Sequence, residues 1–215
     1  MKHAIAALSV AALVAAAPAS ARQSPAASVM SFDVAGVRLN MPYRQVKAVL
    51  AGTYTCADEG KRVTFAEDLE DEVKRRRGER AIRWGGSGPG MLNCKGPNSE
   101  HLRIDFAQDR EGPVVKILSL TVQTRIVAEG DLLRQLGTKF GRPTVGTMRT
   151  GAWCDAGYRC GTAVLMSEGP TFAVRTNGAI VDVSAARGAR WDRARDAALQ
   201  AEADRLAPKR RGAAL

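Results

Sequence analysis

Histidine and aromatic residues are scarce in this chain, and their scarcity argues against most common active sites. Only two of the 215 residues are histidines, His3 and His101, and aromatic residues make up 5%. Histidine is the most frequent general base of enzymes, and no Ser-His-Asp or Cys-His grouping can be assembled here without arbitrary choices. So few aromatic rings also argue against a surface on which nucleic-acid bases stack. We therefore expect no catalytic residue, no cofactor and no specific nucleic-acid partner.

Long hydrophobic runs are missing as well, apart from a short one near the N-terminus. Residues 4–17 are mostly apolar, follow Lys2, and precede the small-residue triplet 19–21. A membrane span needs about 20 apolar residues, whereas a basic start, a shorter apolar run and an Ala-x-Ala-like triplet are typical of a cleaved signal. We predict that residues 1–21 are a signal peptide and that the mature protein is periplasmic or secreted and not membrane-spanning.

Cysteine is sparse, and Cys56, Cys94, Cys154 and Cys160 form an even set. Disulfides persist in exported proteins and are rare in the reducing cytosol. Four cysteines allow three pairings. Proximity in the sequence favours Cys154 with Cys160, which leaves Cys56 with Cys94.

Two other roles for the cysteines fit their spacing less well. A zinc site needs cysteine pairs that are closer together, or histidine partners. A redox motif has two residues between its cysteines, whereas Cys154 and Cys160 are separated by five. We therefore expect two disulfides and no metal site.

Local signals divide the rest of the chain into a leader, a folded domain and a tail. Residues 22–31 are short, small and proline-containing, which predicts a flexible leader, and residues 32–186 carry the folding signals. Thr64 and Glu67 have the spacing of a capping box, and apolar residues recur at helical spacing in three segments. These patterns predict helices at 42–51, 64–77 and 128–140, and the composition of the tail predicts a fourth at 189–206.

Alternating and β-branched segments predict an antiparallel sheet. Residues 102–106 alternate apolar and charged side chains, which is typical of a half-buried strand, and a second strand follows the turn at 109–113. Four short strand candidates in the last third, at 149–154, 160–167, 171–176 and 179–184, predict a C-terminal meander. Asn177 and Gly178 favour a two-residue hairpin turn, which would pair Val174 with Val181 and Phe172 with Val183.

Within this meander, the predicted strands before and after residues 155–159 would place Cys154 opposite Cys160 in a stapled hairpin. Trp153, Tyr158 and Arg159 would then stand at a rigid, exposed tip, where loops commonly carry function. For Trp153, a core position is favoured over the tip, because tryptophan is highly buried on average. We take the three residues as candidate recognition residues.

The tail, residues 187–215, is rich in alanine and alternating charge. Its few large apolar residues predict a charged helix that stands in solvent as an appendage, followed by a disordered basic tip. The tip is too short to be strong evidence for binding anionic lipid.

One stretch resembles a known family. Gly36, Leu39, Met41, Val46 and Leu50 match the entry helix of the small outer-membrane-assembly lipoproteins, and residues 139–144 resemble the Gly-x-Pro exit of the same unit. Two such units in tandem, 32–125 and 126–186, would resemble the β-lactamase-inhibitor-protein fold. Asn40 stands where the family pattern has glycine, and the lipid-acceptor cysteine is absent. The resemblance implies an α+β fold with helices packed on antiparallel sheet, and protein binding rather than chemistry.

Three function classes follow from these observations. The leading hypothesis is a non-enzymatic exported protein that binds an envelope or secreted protein through the stapled sheet face. A pI near 10 favours, as an alternative, attraction to polyanions such as lipid or cell-wall polymers. A second alternative is a carboxylate-dependent hydrolase, since Asp105, Asp109 and Asp155 could meet in space.

Overall fold

The computed structural model describes residues 28–207. The predicted signal peptide, residues 22–27 of the predicted leader and the basic tip lie outside the described residues. Two short strands, β1 (Asp33–Val34) and β2 (Val37–Arg38), pair with each other. The other strands form one eight-stranded sheet. They are β3 (Thr55–Arg62), β4 (Gly88–Lys95), β5 (His101–Asp109), β6 (Gly112–Gln123), β7 (Val145–Gly146), β8 (Thr150–Cys154), β9 (Thr171–Thr176) and β10 (Ile180–Ala186).

The large sheet is antiparallel throughout, with the strand order β3-β4-β5-β6-β10-β9-β8-β7. Strands of the first half of the chain lie on one side and strands of the second half on the other. The halves meet where β6 pairs with β10. The predicted α+β class is confirmed, and β7 to β10 form a C-terminal four-strand meander.

The four helices form where local signals predict them. α2 carries the predicted capping box, in which the Thr64 hydroxyl accepts from the backbone N–H of Glu67 and the Glu67 carboxylate accepts from that of Thr64. Gly78 ends α2 at φ 79°, a left-handed conformation that glycine adopts without strain. The helices are α1 (Tyr43–Leu50), α2 (Phe65–Arg77), α3 (Glu129–Phe140) and α4 (Ala189–Leu206).

The main hydrophobic core lies on one face of the sheet. α1 contributes Val46 and Leu50, while α3 packs its apolar side against the same core. Next to α3, four aromatic rings stack or meet edge to face: Phe32, Phe140, Trp153 and Phe172. Because these packed side chains come from both halves of the chain, the two halves share one core.

The end of the predicted leader is packed rather than flexible. Residues Val29–Ser31 form a short 3₁₀ helix, and Val29 is buried in the core. Asp155 accepts hydrogen bonds from the Ser28 hydroxyl at 2.8 Å and from the Val29 N–H at 2.6 Å.

The C-terminal helix is at the predicted position, but it is not a solvated appendage. α4 packs along α2, with Leu199 and Ala203 buried. Arg76 of α2, whose side chain is almost fully covered, contacts Asp204 and Gln200 of α4. Of the basic run of α2, Arg76 thus serves helix packing, whereas Lys74 and Arg75 pair with acids one turn earlier in α2 itself.

Two details of the predicted meander are wrong. Residues 160–167 are not a strand: they form a loop and a 3₁₀ helix at Val164–Met166, and β7 supplies the fourth strand. Val174 pairs with Val183 rather than with Val181. The Asn177 carboxamide accepts from the N–H groups of Ala179 and Ile180 and so lengthens the turn.

Both predicted disulfides are present. Cys56 and Cys94 are directly opposite on β3 and β4, with their Cα atoms 4.0 Å apart. Cys154 and Cys160 are bridged with a Cα separation of 5.6 Å. The second bridge closes a loop rather than a hairpin, because β8 pairs with β9 and not with residues 160–167.

Candidate functional site

We call the face of the sheet opposite α1 and α3 the open face. Strand register places Arg103, Ser119, Ser184 and Ala173 in one row across β5, β6, β10 and β9. A cavity of about 800 Å³ lies over these strands. Its floor is polar at the centre, in contrast to the apolar face that supports the core.

A loop at residues 155–170 borders the open face. Its 3₁₀ helix buries Val164 against Ala152, Ala173 and Ala186. The next two side chains turn outward, so that Leu165 is 75% exposed and Met166 is 86% exposed. Both also line the cavity, which places two large apolar side chains beside a polar sheet surface.

Several contacts hold this border loop in place. The Cys154–Cys160 bridge closes its first part. Its second part is tied to the start of α4, because the N–H groups of Ala189 and Arg190 donate to the carbonyls of Ser167 and Glu168. Glu168 also pairs with Arg193, which lowers the pKa of Glu168. The loop therefore presents Leu165 and Met166 from a fixed position.

The charges of the open face are partly neutralised. Buried Asp105 accepts from the Arg103 guanidinium at 3.1 and 3.3 Å, which raises the pKa of Arg103. Asp182 accepts from the Thr121 hydroxyl at 2.7 Å. Arg175 is exposed, and its side chain makes no hydrogen bond or ion pair within residues 28–207. A free cation thus stands near the two exposed apolar side chains.

The three predicted recognition residues lie in different environments. Trp153 is only 4% exposed and packs against Phe140 and Phe172, so it occupies the core position favoured for it rather than the tip. Tyr158 is half-buried: its hydroxyl bonds to Arg190, and its ring lies so close to Gly169 that a Cβ there would approach its Cγ to 2.3 Å. Arg159 is exposed. Tyr158 and Arg159 thus lie on the border loop, without Trp153.

Sequence reasoning missed the exposed apolar residues. Leu165 and Met166 fell within the predicted strand at 160–167. The run Val164-Leu165-Met166 is consecutive rather than alternating, which is the one local sign that it is not a half-buried strand. Trp84, which is 95% exposed between α2 and β4, was also missed. Its neighbour Arg83 binds Asp71 of α2.

The three carboxylates considered for hydrolysis each bind a different partner. Asp105 binds Arg103, Asp109 binds Arg187, and Asp155 binds the backbone near Ser28. Residues 28–207 contain no group of three or more His, Cys, Asp or Glu side chains that could hold a metal ion. Among the same residues, no helix has both the length and the apolar character of a membrane span.

Comparison with known proteins returned no family model, no curated protein and no solved structure that matches this chain. The functional argument therefore depends on the geometry of the open face.

Proposed function

We propose that this protein is an exported, non-enzymatic binding module that contacts another envelope or secreted protein through the open face. The apolar segment and small-residue triplet at the N-terminus support export, as do two disulfides that a reducing cytosol would disfavour.

The exposure of Leu165 and Met166 beside the cavity is the observation that carries this proposal. Protein interfaces bury an apolar centre within a polar rim, and methionine is enriched there. Around this pair lie Arg175, Asp182 and Ser184 on the strands, which match the polar rim. Because the border loop is already fixed, a partner would bind without the entropic cost of ordering it.

The experiment is capture of a partner by the purified, oxidised protein from an envelope extract, followed by washes at low and high salt. We expect a defined protein to survive high salt. The double variant L165D/M166D should retain at least tenfold less of it, because burying one such side chain contributes about 1.5–3 kcal/mol and 1.4 kcal/mol is tenfold in affinity.

A control is W84D, which introduces one aspartate at an exposed apolar residue outside the open-face cavity. It should leave capture unchanged. Loss of capture in W84D with retention in L165D/M166D would place the contact elsewhere and contradict the proposal. Capture that vanishes steeply with salt in every variant would instead support polyanion binding, since salt screens such contacts.

A further inference from the structure

The segment between α2 and β4 exposes two large apolar side chains. Trp84 is 95% exposed and Ile82 is 55% exposed, and neither lines the open-face cavity. The segment belongs to no helix or strand, and exposure alternates along it: Arg80, Ile82 and Trp84 are exposed, whereas Ala81 and Arg83 are partly buried. Successive side chains of an extended chain point to opposite sides. The three exposed side chains therefore form one row on the outside of the segment, here called the outer row.

Contacts on the inner side hold the outer row in place. The Arg83 guanidinium donates to both carboxylate oxygens of Asp71 in α2, at 2.9 and 3.1 Å, and lies 3.5 Å from Glu67. Near the end of the segment, a Cβ added at Gly86 would lie 2.0 Å from the carbonyl carbon of Arg62, so the two backbones are in direct contact. A ligand could thus bind the apolar side chains without the entropic cost of ordering the segment.

Unpaired cations flank the outer row. Arg77 and Arg80 are exposed, and their side chains make no ion pair or hydrogen bond within the described part of the chain. Arg77 follows Glu70 by two helical turns and so lies on the same face of α2. Glu70 lies 3.4 Å from Arg83, which shows that the segment runs along this face. Glu79 is the one acid between the two arginines.

More positive charge follows at the same end of α2. The Ala207 carbonyl lies 3.5 Å from the guanidinium of Arg76, in the last turn of α2. From there the chain continues with Lys209, Arg210 and Arg211. The outer row therefore lies close to an end of the molecule at which cations outnumber acids.

Exposed apolar side chains beside free cations are typical of segments that lie on a membrane surface. Tryptophan is enriched at membrane–water interfaces, and lysine and arginine on such segments attract anionic lipid. A protein interface has a packed apolar centre, whereas a fluid lipid surface needs no complementary shape. A single protruding row fits the lipid surface better.

We propose that residues 77–84 bind the surface of an anionic membrane, with Ile82 and Trp84 inserted at the level of the headgroups and Arg77 and Arg80 in contact with lipid phosphates. The inference goes beyond the protein contact proposed above and does not depend on it, because the outer row lies outside the open-face cavity.

The test is co-sedimentation of the purified, oxidised protein with vesicles of equal parts phosphatidylcholine and phosphatidylglycerol, and with vesicles of phosphatidylcholine alone. We expect binding to the anionic vesicles and at least about tenfold weaker binding to the neutral ones. I82S/W84S should lower binding to the anionic vesicles at least about tenfold. The matched control is L165S/M166S, which removes two exposed apolar side chains from the border loop and should leave vesicle binding unchanged.

The cationic part of the contact is tested separately. R77Q/R80Q should weaken binding to the anionic vesicles about tenfold. R125Q/R142Q makes the same change in net charge at two exposed arginines elsewhere and should weaken it less than about threefold at physiological salt, because distant charges are screened.

Fluorescence locates the contact with the outer row intact. In W191F the remaining tryptophans are Trp84 and the buried Trp153, and anionic vesicles should shift the emission to shorter wavelength. W84F/W191F retains Trp153 alone and should show no shift.

A wild type that does not bind the anionic vesicles would overturn the proposal, as would binding that I82S/W84S leaves unchanged. Self-association that requires Trp84, without vesicle binding, would place a second copy of the chain over the outer row and overturn it as well.

Discussion

At the scale of single residues, Arg187 is the most constrained polar side chain of the described residues. It is fully buried at the end of β10, and its guanidinium donates to both oxygens of Asp109 at 2.6 and 2.9 Å. A second acid, Asp192 at the start of α4, accepts from the same guanidinium at 3.3 Å. Arg187, which directly follows β10, thus links the end of β5 to the first turn of α4.

Removing the main counter-charge of Arg187 should destabilise the fold. Loss of one partner leaves an uncompensated buried charge, which costs about 3–5 kcal/mol. Because Asp109 is partly exposed, we expect D109N to lower the free energy of unfolding by about 3 kcal/mol, near the low end of that range. D192N weakens two more exposed contacts, to Arg187 at 3.3 Å and to Lys116 at 2.6 Å, and should cost about 1 kcal/mol or less. Urea unfolding measures both; equal losses in the two variants would contradict this role of Asp109.

Trp153 shows why single residues of the site were hard to predict. Its exposure depends on Phe140 and Phe172, which lie before and after it in the chain on different elements. No local pattern distinguishes such a residue from one at a loop tip. Leu165 and Met166, in contrast, are exposed although they lie in an apolar run. Val164 packs beneath them, and this packing directs both side chains outward.

At the scale of elements, a prediction succeeded where the residues that determine the element lie within it. The helices were predicted closely because caps and apolar spacing lie within each segment: α2 begins after Thr64 and ends before Gly78. The strand predicted at 160–167 failed because β9 already pairs with β8 and β10 on its two sides. The hairpin register shifted by two residues, which kept Val174, Val181 and Val183 on the buried face because side chains alternate with a period of two.

The α2 cap predicts a pH dependence of stability. The Glu67 carboxylate accepts from the N–H groups of Thr64 and Ser87, which lower its pKa from 4.5 to about 2. A carboxyl group with a lowered pKa stabilises the folded state fully above its ordinary pKa, and this contribution is lost as the pH falls toward the folded value. The free energy of unfolding should therefore fall between about pH 5 and pH 2.

Replacing Glu67 isolates this contribution. E67Q keeps an acceptor oxygen but does not titrate, so the slope of the unfolding free energy against pH should be shallower than in the wild type over that window. E111Q is the matched control, because Glu111 is exposed and forms no ion pair within residues 28–207. An unchanged slope in E67Q, measured by urea unfolding at successive pH values, would contradict the assignment.

At the scale of the whole molecule, the two halves share both a sheet and a core. β6 and β10 pair over seven residue positions, and the main core includes Leu102 and Leu118 of the first half together with Phe172 and Val183 of the second. Neither half buries its apolar face alone. We therefore expect the protein to unfold in one transition despite its two helix-plus-sheet halves.

The Cys56–Cys94 bridge tests this coupling, because it lies in the first half while Trp153 reports on the second. The bridge spans 38 residues, and the chain-entropy relation gives about 4 kcal/mol for such a loop. In a W84F/W191F background, where Trp153 is the remaining fluorophore, C56S/C94S should move the Trp153 transition and the far-UV circular dichroism transition together to lower urea concentration. A C154S/C160S variant removes the shorter loop, worth about 2 kcal/mol, and should shift both probes less. If C56S/C94S shifted the circular dichroism transition and left the Trp153 transition in place, the two halves would be independent units, and the shared core would not couple them.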